Sequence, residues 1–255
     1  MIQRRLMGPP ASGGPGCRPS GTVRVAAYLL IVALALLSAA PAAAQAIGVV
    51  VKGRTTGGEM VVLGRAAPST TEYVINPDTF DPTPGPNSIE TVVGLGELPD
   101  LHRLFLADVD FLRSLEWTSE LDALHVIVVT YSAVPAIDLL FQIPSLSELY
   151  IVNSYFREPP PTKIDLSNLP RLELLFIAGT PLTRVPHLSG IPDSIIYFDM
   201  SYCGLDLDRP EAQEALAAMA PIPEVNVSGN KVSLETLERY PNLFVEIEGE
   251  ERTDG

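Results

Sequence analysis

The sequence predicts an α/β solenoid, a curved stack of similar units that each add one short strand to a parallel sheet. Three observations support this fold class. One apolar frame recurs six times, proline stands ahead of several copies, and helix-forming segments accompany the last copies. Self-similarity at a period of about 20 to 50 residues is typical of repeat architectures.

The recurring frame is an apolar residue, two others, an apolar residue, one other and a third apolar residue. Its copies follow one another at steps of 22 to 27 residues. A single frame of this kind also occurs in amphipathic helices, but six copies at a near-constant step indicate a repeat. The copies begin at Leu101, Leu124, Leu146, Leu172, Ile195 and Ile222, and a shortened copy follows at 240–247.

Proline marks the approach to several of these copies. Pro99, Pro144, Pro170 and Pro241 each lie two residues before the first apolar position of a copy. Proline has no N–H group and forces the residue before it out of the helical region. We therefore expect each of these prolines to end a return segment and to admit the chain to the next strand.

The frame resembles the leucine-rich repeat family, whose pattern is L-x-x-L-x-L-x-x-N/C-x-L at about 20–29 residues. The copy at 222–232 carries the whole pattern with Asn230 at the polar position, and the copy at 195–205 places Cys203 there. The resemblance implies a horseshoe-like, right-handed solenoid of about six to seven repeats over residues 89–255, with short parallel strands on its concave side. It also implies that the polar side chain satisfies backbone groups at the turn leaving each strand. The other copies have Val109, Ser132, Ser154 and Thr180 at this position. We expect the Ser and Thr side chains to satisfy some of these backbone groups and the Val109 side chain to satisfy none.

Residues 1–46 have the composition of a secretory signal peptide. They hold four arginines and no acidic residue, an apolar run from Ala26 to Ala40, and then small residues. A positive head, an apolar stretch and an A-x-A end are typical of a cleaved leader, and cleavage is expected after Ala44 or Ala46. The alternative is an uncleaved membrane anchor. It would need about 20 apolar residues and reaches that length only by running on through Pro41.

Two further segments complete the predicted layout. Residues 47–88 form a β-hairpin, with strands at 47–51 and 59–63, that caps the open end of the solenoid, followed by a loop or linker rich in Pro, Thr and Asp. Residues 89–95 are a candidate degenerate first repeat strand. Near the C-terminus, 210–219 predicts a helix that begins with Pro210, and 232–239 predicts a helix capped by Ser233.

The candidate binding site follows from the alternation of side chains along a strand. Residues beside the inward frame residues should point to solvent on the concave face. The first four copies then present an apolar and aromatic surface, which on a soluble protein marks an interaction site. The candidate protein-binding residues are Phe105, Val128, Tyr150, Phe176, Tyr197 and Asp199, and Glu246 continues the central column in the shortened copy. The alternative is that the N-terminal segment or a loop folds over this patch and makes it core.

The sequence offers no catalytic motif, and we expect no cofactor and no metal site. His102 and His125 occupy equivalent repeat positions, where a place on the surface is expected. After removal of the leader Cys203 is the only cysteine, so neither an internal disulfide nor a cysteine-built zinc site can form. Its place in the frame indicates a buried structural residue rather than a nucleophile.

Charge narrows the class of partner. The chain carries a formal net charge of −14, and loss of the four leader arginines makes the mature charge −18. This excludes nucleic acid as a partner, and it favours a basic protein through long-range attraction. We therefore expect an exported, non-enzymatic protein, periplasmic, cell-surface or secreted, that binds another protein through its concave face and does not contact the membrane once its leader is cleaved. A membrane-tethered surface protein and an exported enzyme with a loop-built site are the alternatives.

Overall fold

A computed structural model describes residues 48–76, 89–107, 109, 114–115, 121–134, 143–156 and 159–246. They belong to a compact unit that spans Ala42–Gly255. The leader expected over 1–46 and most of the Pro-rich stretch at 77–88 lie outside the described residues.

One parallel sheet dominates the described part of the chain. Its eight strands lie in the spatial order β3, β5, β7, β9, β12, β14, β15, β16, and every pairing in it is parallel. The strands are β1 Val49–Thr55, β2 Met60–Ala66, β3 Glu72–Ile75, β4 Ile89–Val93, β5 Arg103–Ala107, β6 Ser114–Leu115, β7 Val126–Thr130, β8 Ala133–Val134, β9 Glu148–Val152, β10 Tyr155–Phe156, β11 Lys163–Asp165, β12 Leu174–Phe176, β13 His187–Ser189, β14 Tyr197–Asp199, β15 Glu224–Asn226 and β16 Leu243–Phe244. The predicted leucine-rich repeat solenoid is therefore confirmed as a fold class.

The register follows the apolar frame. Leu104, Ile127, Leu149 and their counterparts in later repeats lie opposite one another across the sheet. These inward residues are fully buried and belong to one continuous core that runs through the stack. Burial of each such side chain is worth about 1.5–3 kcal/mol. No single repeat can bury its own frame, so the stack is what makes the frame a core.

Polar side chains that follow each strand connect neighbouring repeats. The side-chain oxygen of Asn230 accepts hydrogen bonds from the Cys203 and Leu205 amides, at 3.2 and 3.0 Å. Its Nδ2 donates to the Met200 carbonyl at 2.8 Å and to the Val227 carbonyl at 3.1 Å.

The smaller residues at this repeat position make fewer bonds of the same kind. Ser132 Oγ accepts from the Val109 amide at 2.9 Å and donates to the Thr130 carbonyl at 2.8 Å. Cys203 donates its thiol hydrogen to the Ile177 carbonyl, with an S···O distance of 2.7 Å. Val109 contributes no such side chain, as expected, but its own amide is satisfied by the next repeat.

A second set of polar contacts, which the sequence analysis missed, lies where strands begin. Ser145, Ser194 and Asn242 each stand directly before the first frame residue of a copy. Each donates to two backbone carbonyls of the preceding repeat; Ser145 Oγ, for example, lies 3.0 Å from the Leu121 oxygen and 2.7 Å from the Leu124 oxygen. Side-chain hydrogen bonds thus connect both turns of a repeat to the preceding repeat.

In five copies, the second residue after the last frame residue adopts the left-handed conformation. The φ angles at these equivalent positions are all between 49° and 68°, for Tyr131, Asn153, Gly179, Tyr202 and Gly229. Side chains at this column lie over the next repeat, because a Cβ atom on Gly179 would overlap the Asn153 side chain and one on Gly229 would overlap the Tyr202 ring.

The N-terminal part contains the predicted hairpin as β1 and β2, which pair antiparallel. It departs from expectation in two other places. The stretch 66–88 was expected to be a loop or linker throughout, but 72–75 form β3, the edge strand of the main sheet. Conversely, 89–93 form β4, which pairs with β1 instead of starting the repeats. The alternation that buries Tyr73 and Ile75 explains why β3 can join the core.

The two predicted helices are confirmed. Helix α1, Pro210–Ala218, begins with proline, and helix α2, Leu234–Arg239, is capped by Ser233, whose side chain accepts from the Thr236 amide at 3.2 Å.

The left-handed column yields a stability prediction. Gly229→Ala and Gly204→Ala both place a Cβ at positive φ, which costs about 1–2 kcal/mol. A Cβ at Gly204 meets nothing within 4 Å, whereas one at Gly229 must displace the Tyr202 ring. We expect Gly229→Ala to lower the free energy of unfolding more than Gly204→Ala, measured by urea denaturation. Equal losses would show that the ring does not pack on Gly229.

Candidate functional site

The predicted site residues share one side of the main sheet. Phe105, Val128, Tyr150, Phe176 and Asp199 occupy the same register position in consecutive strands. Tyr197 lies one register column earlier, opposite Leu174 and Glu224. The structure therefore brings the predicted residues together on one face.

The shortened copy lies in a different register from the one expected. Glu246 was placed in the central column, but Asn226 pairs with Phe244. The frame in this copy contains Leu243 as the inward residue, which moves Phe244 into the central column and Glu246 beyond the strand.

The expected exposure of the candidate residues is wrong. The exposed fractions are 5% for Phe105, 2% for Val128, 8% for Tyr150, 4% for Phe176, 0% for Tyr197 and 1% for Asp199. These side chains are buried but lie outside the core cluster built by the inward frame. They form a second packed layer, which we call the aromatic column.

Ring packing between neighbouring strands is one physical reason for this burial. The rings of Tyr150 and Phe176 stack with centroids 4.6 Å apart, and Phe176 meets Tyr197 at 5.2 Å. Tyr197 also lies 6.2 Å from Phe244. Strands in a sheet lie about 4.8 Å apart, so aromatic side chains at one register position are held in ring contact. The alternation of side chains along each strand predicted correctly that these residues point away from the core. It did not predict that they pack against side chains of the neighbouring strands.

The aromatic column ends in a buried polar cluster around Asp199. The Tyr197 hydroxyl and the Asn226 Nδ2 group donate to Asp199 Oδ2 at 3.2 and 3.0 Å, and the Ser201 amide donates to Oδ1 at 2.8 Å. Burial nevertheless raises the pKa of Asp199, against these hydrogen bonds. Burial, followed by the negative charge of Asp199, raises the pKa of Tyr197 well above its usual range.

Glu246 adds a second acid near this cluster. Its amide donates to Ser228 Oγ at 2.7 Å, and its Oε1 atom is buried without a hydrogen-bond partner. Burial first, and the charge of Asp199 second, raise the pKa of Glu246. The end of the sheet near β15 therefore holds two acids whose pKa values are raised by burial.

The accessible part of this face is a cavity at the edge where the strands begin, which we call the strand-start cavity. It has a volume of about 400 Å³. The rings of His102 and His125 lie 5.8 Å apart, Arg103 donates to Glu72 Oε1 at 2.7 Å, and Glu148 Oε2 accepts from the Tyr150 hydroxyl at 2.7 Å. Its lining includes Glu72, His102, Arg103, His125, Val126 and Glu148. In the sequence, the only indication of this cavity was that His102 and His125 occupy equivalent repeat positions.

Cys203, the candidate nucleophile of the sequence, lies buried in the repeat frame. Cys203 is 1% exposed, and burial raises the pKa of its thiol to about 12, so it is no nucleophile near neutral pH. Among the described residues, no group of three or more His, Cys, Asp or Glu side chains is placed to hold a metal ion. Within the same part of the chain, no helix is long and apolar enough to cross a membrane.

Comparison with known proteins gives distant structural similarity. No protein-family model matches the chain, and no curated protein matches it. Among solved structures, an internalin (inlF) from Listeria monocytogenes str. 4b F2365 is 14% identical over 62% of this chain and 51% of its own, with a TM-score of 0.38. The matched region thus spans about half of that protein. An internalin C2 (inlC2) from the same strain is 14% identical over 75% of this chain and 88% of its own, with a TM-score of 0.37.

The buried acid makes a prediction about pH. Because burial raises the folded-state pKa of Asp199, its contribution to stability is full below the unfolded-state pKa and is lost as the pH rises through the folded-state pKa. We expect the free energy of unfolding of the wild type, minus that of Asp199→Asn, to fall between pH 3.5 and pH 7 in urea denaturation.

Asp206 is the matched control, because its hydrogen bond to Lys231 lowers its pKa. Its contribution has the opposite sign, so the difference between wild type and Asp206→Asn should grow over the same range. A difference for Asp199→Asn that does not change with pH would contradict a raised pKa.

Proposed function

We propose that the protein is an exported, non-enzymatic leucine-rich repeat protein that binds a basic protein through the concave side of its main sheet. The observation that carries this proposal is the in-register parallel sheet, which repeats one outward position in strand after strand. Such a surface offers a partner a continuous set of contacts that no single loop could provide.

The aromatic column supports this role as the floor of the binding face. Phe105, Val128, Tyr150 and Phe176 are packed too tightly to move with a ligand, which reduces the ordering cost of binding. The Tyr150 hydroxyl holds Glu148 at the rim of the strand-start cavity. Tyr197 and Asp199 continue the floor toward β15, and the direct contacts fall on the neighbouring column.

Apart from the buried Tyr197, that neighbouring column is accessible, and it contains two glutamates. Arg103 and Glu224 are exposed, and Val126, Glu148 and Leu174 are half-buried. Arg103 is already paired with Glu72, which leaves Glu148 and Glu224 to meet cationic side chains. The negative net charge of the chain would attract a basic protein.

Site-specific photo-cross-linking tests this proposal. A photoreactive phenylalanine analogue replaces Val126 on the concave side, and in a matched variant it replaces Leu234, which is 76% exposed on helix α2. On irradiation in cells that export the protein, we expect one discrete protein adduct from position 126 and none from 234. Because the Glu148 side chain would meet the partner's cations, Glu148→Gln in the same chain should reduce the adduct several-fold.

Two outcomes would contradict the proposal. Adducts from position 234 but not 126 would move binding away from the concave side, and no adduct from either would remove the protein-binding role. The mass of the purified protein tests export in the same sample. Loss of residues 1–46 is expected, and an intact leader would favour a membrane-tethered protein instead.

A further inference from the structure

Among the described residues, the most exposed large aromatic side chains lie away from the concave face, at the turns that leave the strands. Tyr131, Tyr155 and Tyr202 are 56%, 44% and 54% exposed. Tyr131 follows β7, Tyr155 begins β10 just after β9, and Tyr202 follows β14. We call these three residues, with Asn153, the tyrosine ridge.

The backbone of the ridge argues against a purely structural role. Tyr131 and Tyr202 have φ angles of 50° and 55°, in the left-handed region that disfavours bulky side chains. At the equivalent positions the same chain uses glycine, at 179 and 229, and asparagine, at 153. The tyrosines therefore carry a conformational cost, and more than half of each residue remains exposed to solvent. Strain of this kind concentrates at functional sites.

The ridge is also pre-arranged. The Tyr202 ring lies over Gly229, where any Cβ would overlap it, so one side of the ring is held against the backbone. Asn153 Nδ2 donates to the Tyr131 hydroxyl at 3.5 Å and its side chain lies over Gly179. Repeats stack at about 4.8 Å, which places Tyr131 and Tyr202, three repeats apart, at about 14 Å.

Charge indicates what would stack on these rings. Among the described residues, the left-handed column carries no ionisable group other than the tyrosine hydroxyls, whereas the chain as a whole has a net charge of −14. A cationic partner would be attracted by the chain and would meet aromatic faces at the ridge. Arginine suits such faces better than lysine, because its guanidinium is planar and less strongly hydrated.

We propose that the tyrosine ridge is a second interaction surface, on which arginine side chains of a basic protein stack against Tyr131 and Tyr202. This surface is separate from the concave face, and each can fail without the other. It fits an arginine-bearing surface or segment that spans about 14 Å.

Two synthetic 12-residue peptides provide the test, one alternating arginine with glycine and the other alternating lysine with glycine. Their charge is equal, so charge attraction alone gives equal affinity. With the full chain, fluorescence anisotropy should show the arginine peptide binding more tightly, by up to about fivefold for each ring engaged. The double variant Tyr131→Gly, Tyr202→Gly should lose this preference, and Tyr131→Phe, Tyr202→Phe should keep it.

The variants separate binding from folding. Glycine suits positive φ, so the glycine variant should unfold at a urea concentration equal to or above that of the wild type. Glu148→Gln should weaken both peptides alike and leave the arginine preference intact, which distinguishes the ridge from the concave face. Equal affinity of the wild type for the two peptides, or a preference that survives in the glycine variant, would overturn the proposal. Self-association of the wild type that the glycine variant abolishes would assign the ridge to a second copy of the chain and would also overturn it.

Discussion

The stack of repeats depends on hydrogen-bond partners for the buried backbone amides and carbonyls at the turns. The strands have ended there, so pairing within the sheet no longer supplies these partners. A buried amide or carbonyl without a partner costs about 1–3 kcal/mol. Each repeat supplies a side chain that reaches into its predecessor, and Asn230 makes the largest set of these bonds, to the backbone of residues 200, 203, 205 and 227. With the turns fixed in this way, the frame residues align and the core becomes continuous.

This fixed spacing creates two different surfaces from one repeat. Across the sheet it brings Tyr150, Phe176 and Tyr197 into ring contact, so that residues pointing outward still become buried. At the turns it places alternating large and small residues side by side, so that the Tyr202 ring can lie over Gly229 and remain half exposed. The same lateral distance therefore makes the concave side rigid and leaves the accessible aromatic surface on the turns.

The sequence predicted the elements that depend on the repeat period. It did not predict the burial that depends on side chains of neighbouring strands. The apolar frame located the strands of the repeats, and the capping pattern located the helix after Ser233, because both are local. The burial of Phe105 and Val128 could not be read from alternation, since it depends on packing above the sheet. Strand β3 was missed within a Pro-rich stretch, and the positive φ of Tyr131 has no signal in its own residue type.

The central claim is that side chains at the turns hold the repeats together, and Asn230→Ala tests it most directly. The substitution leaves the Cys203 and Leu205 amides and the Met200 carbonyl without their partner. We predict a loss of about 3 kcal/mol or more in the free energy of unfolding, measured by urea denaturation. The control is Asn168→Ala, at an exposed turn residue outside the left-handed region. A loss below about 1 kcal/mol, equal to that of the control, would contradict the account.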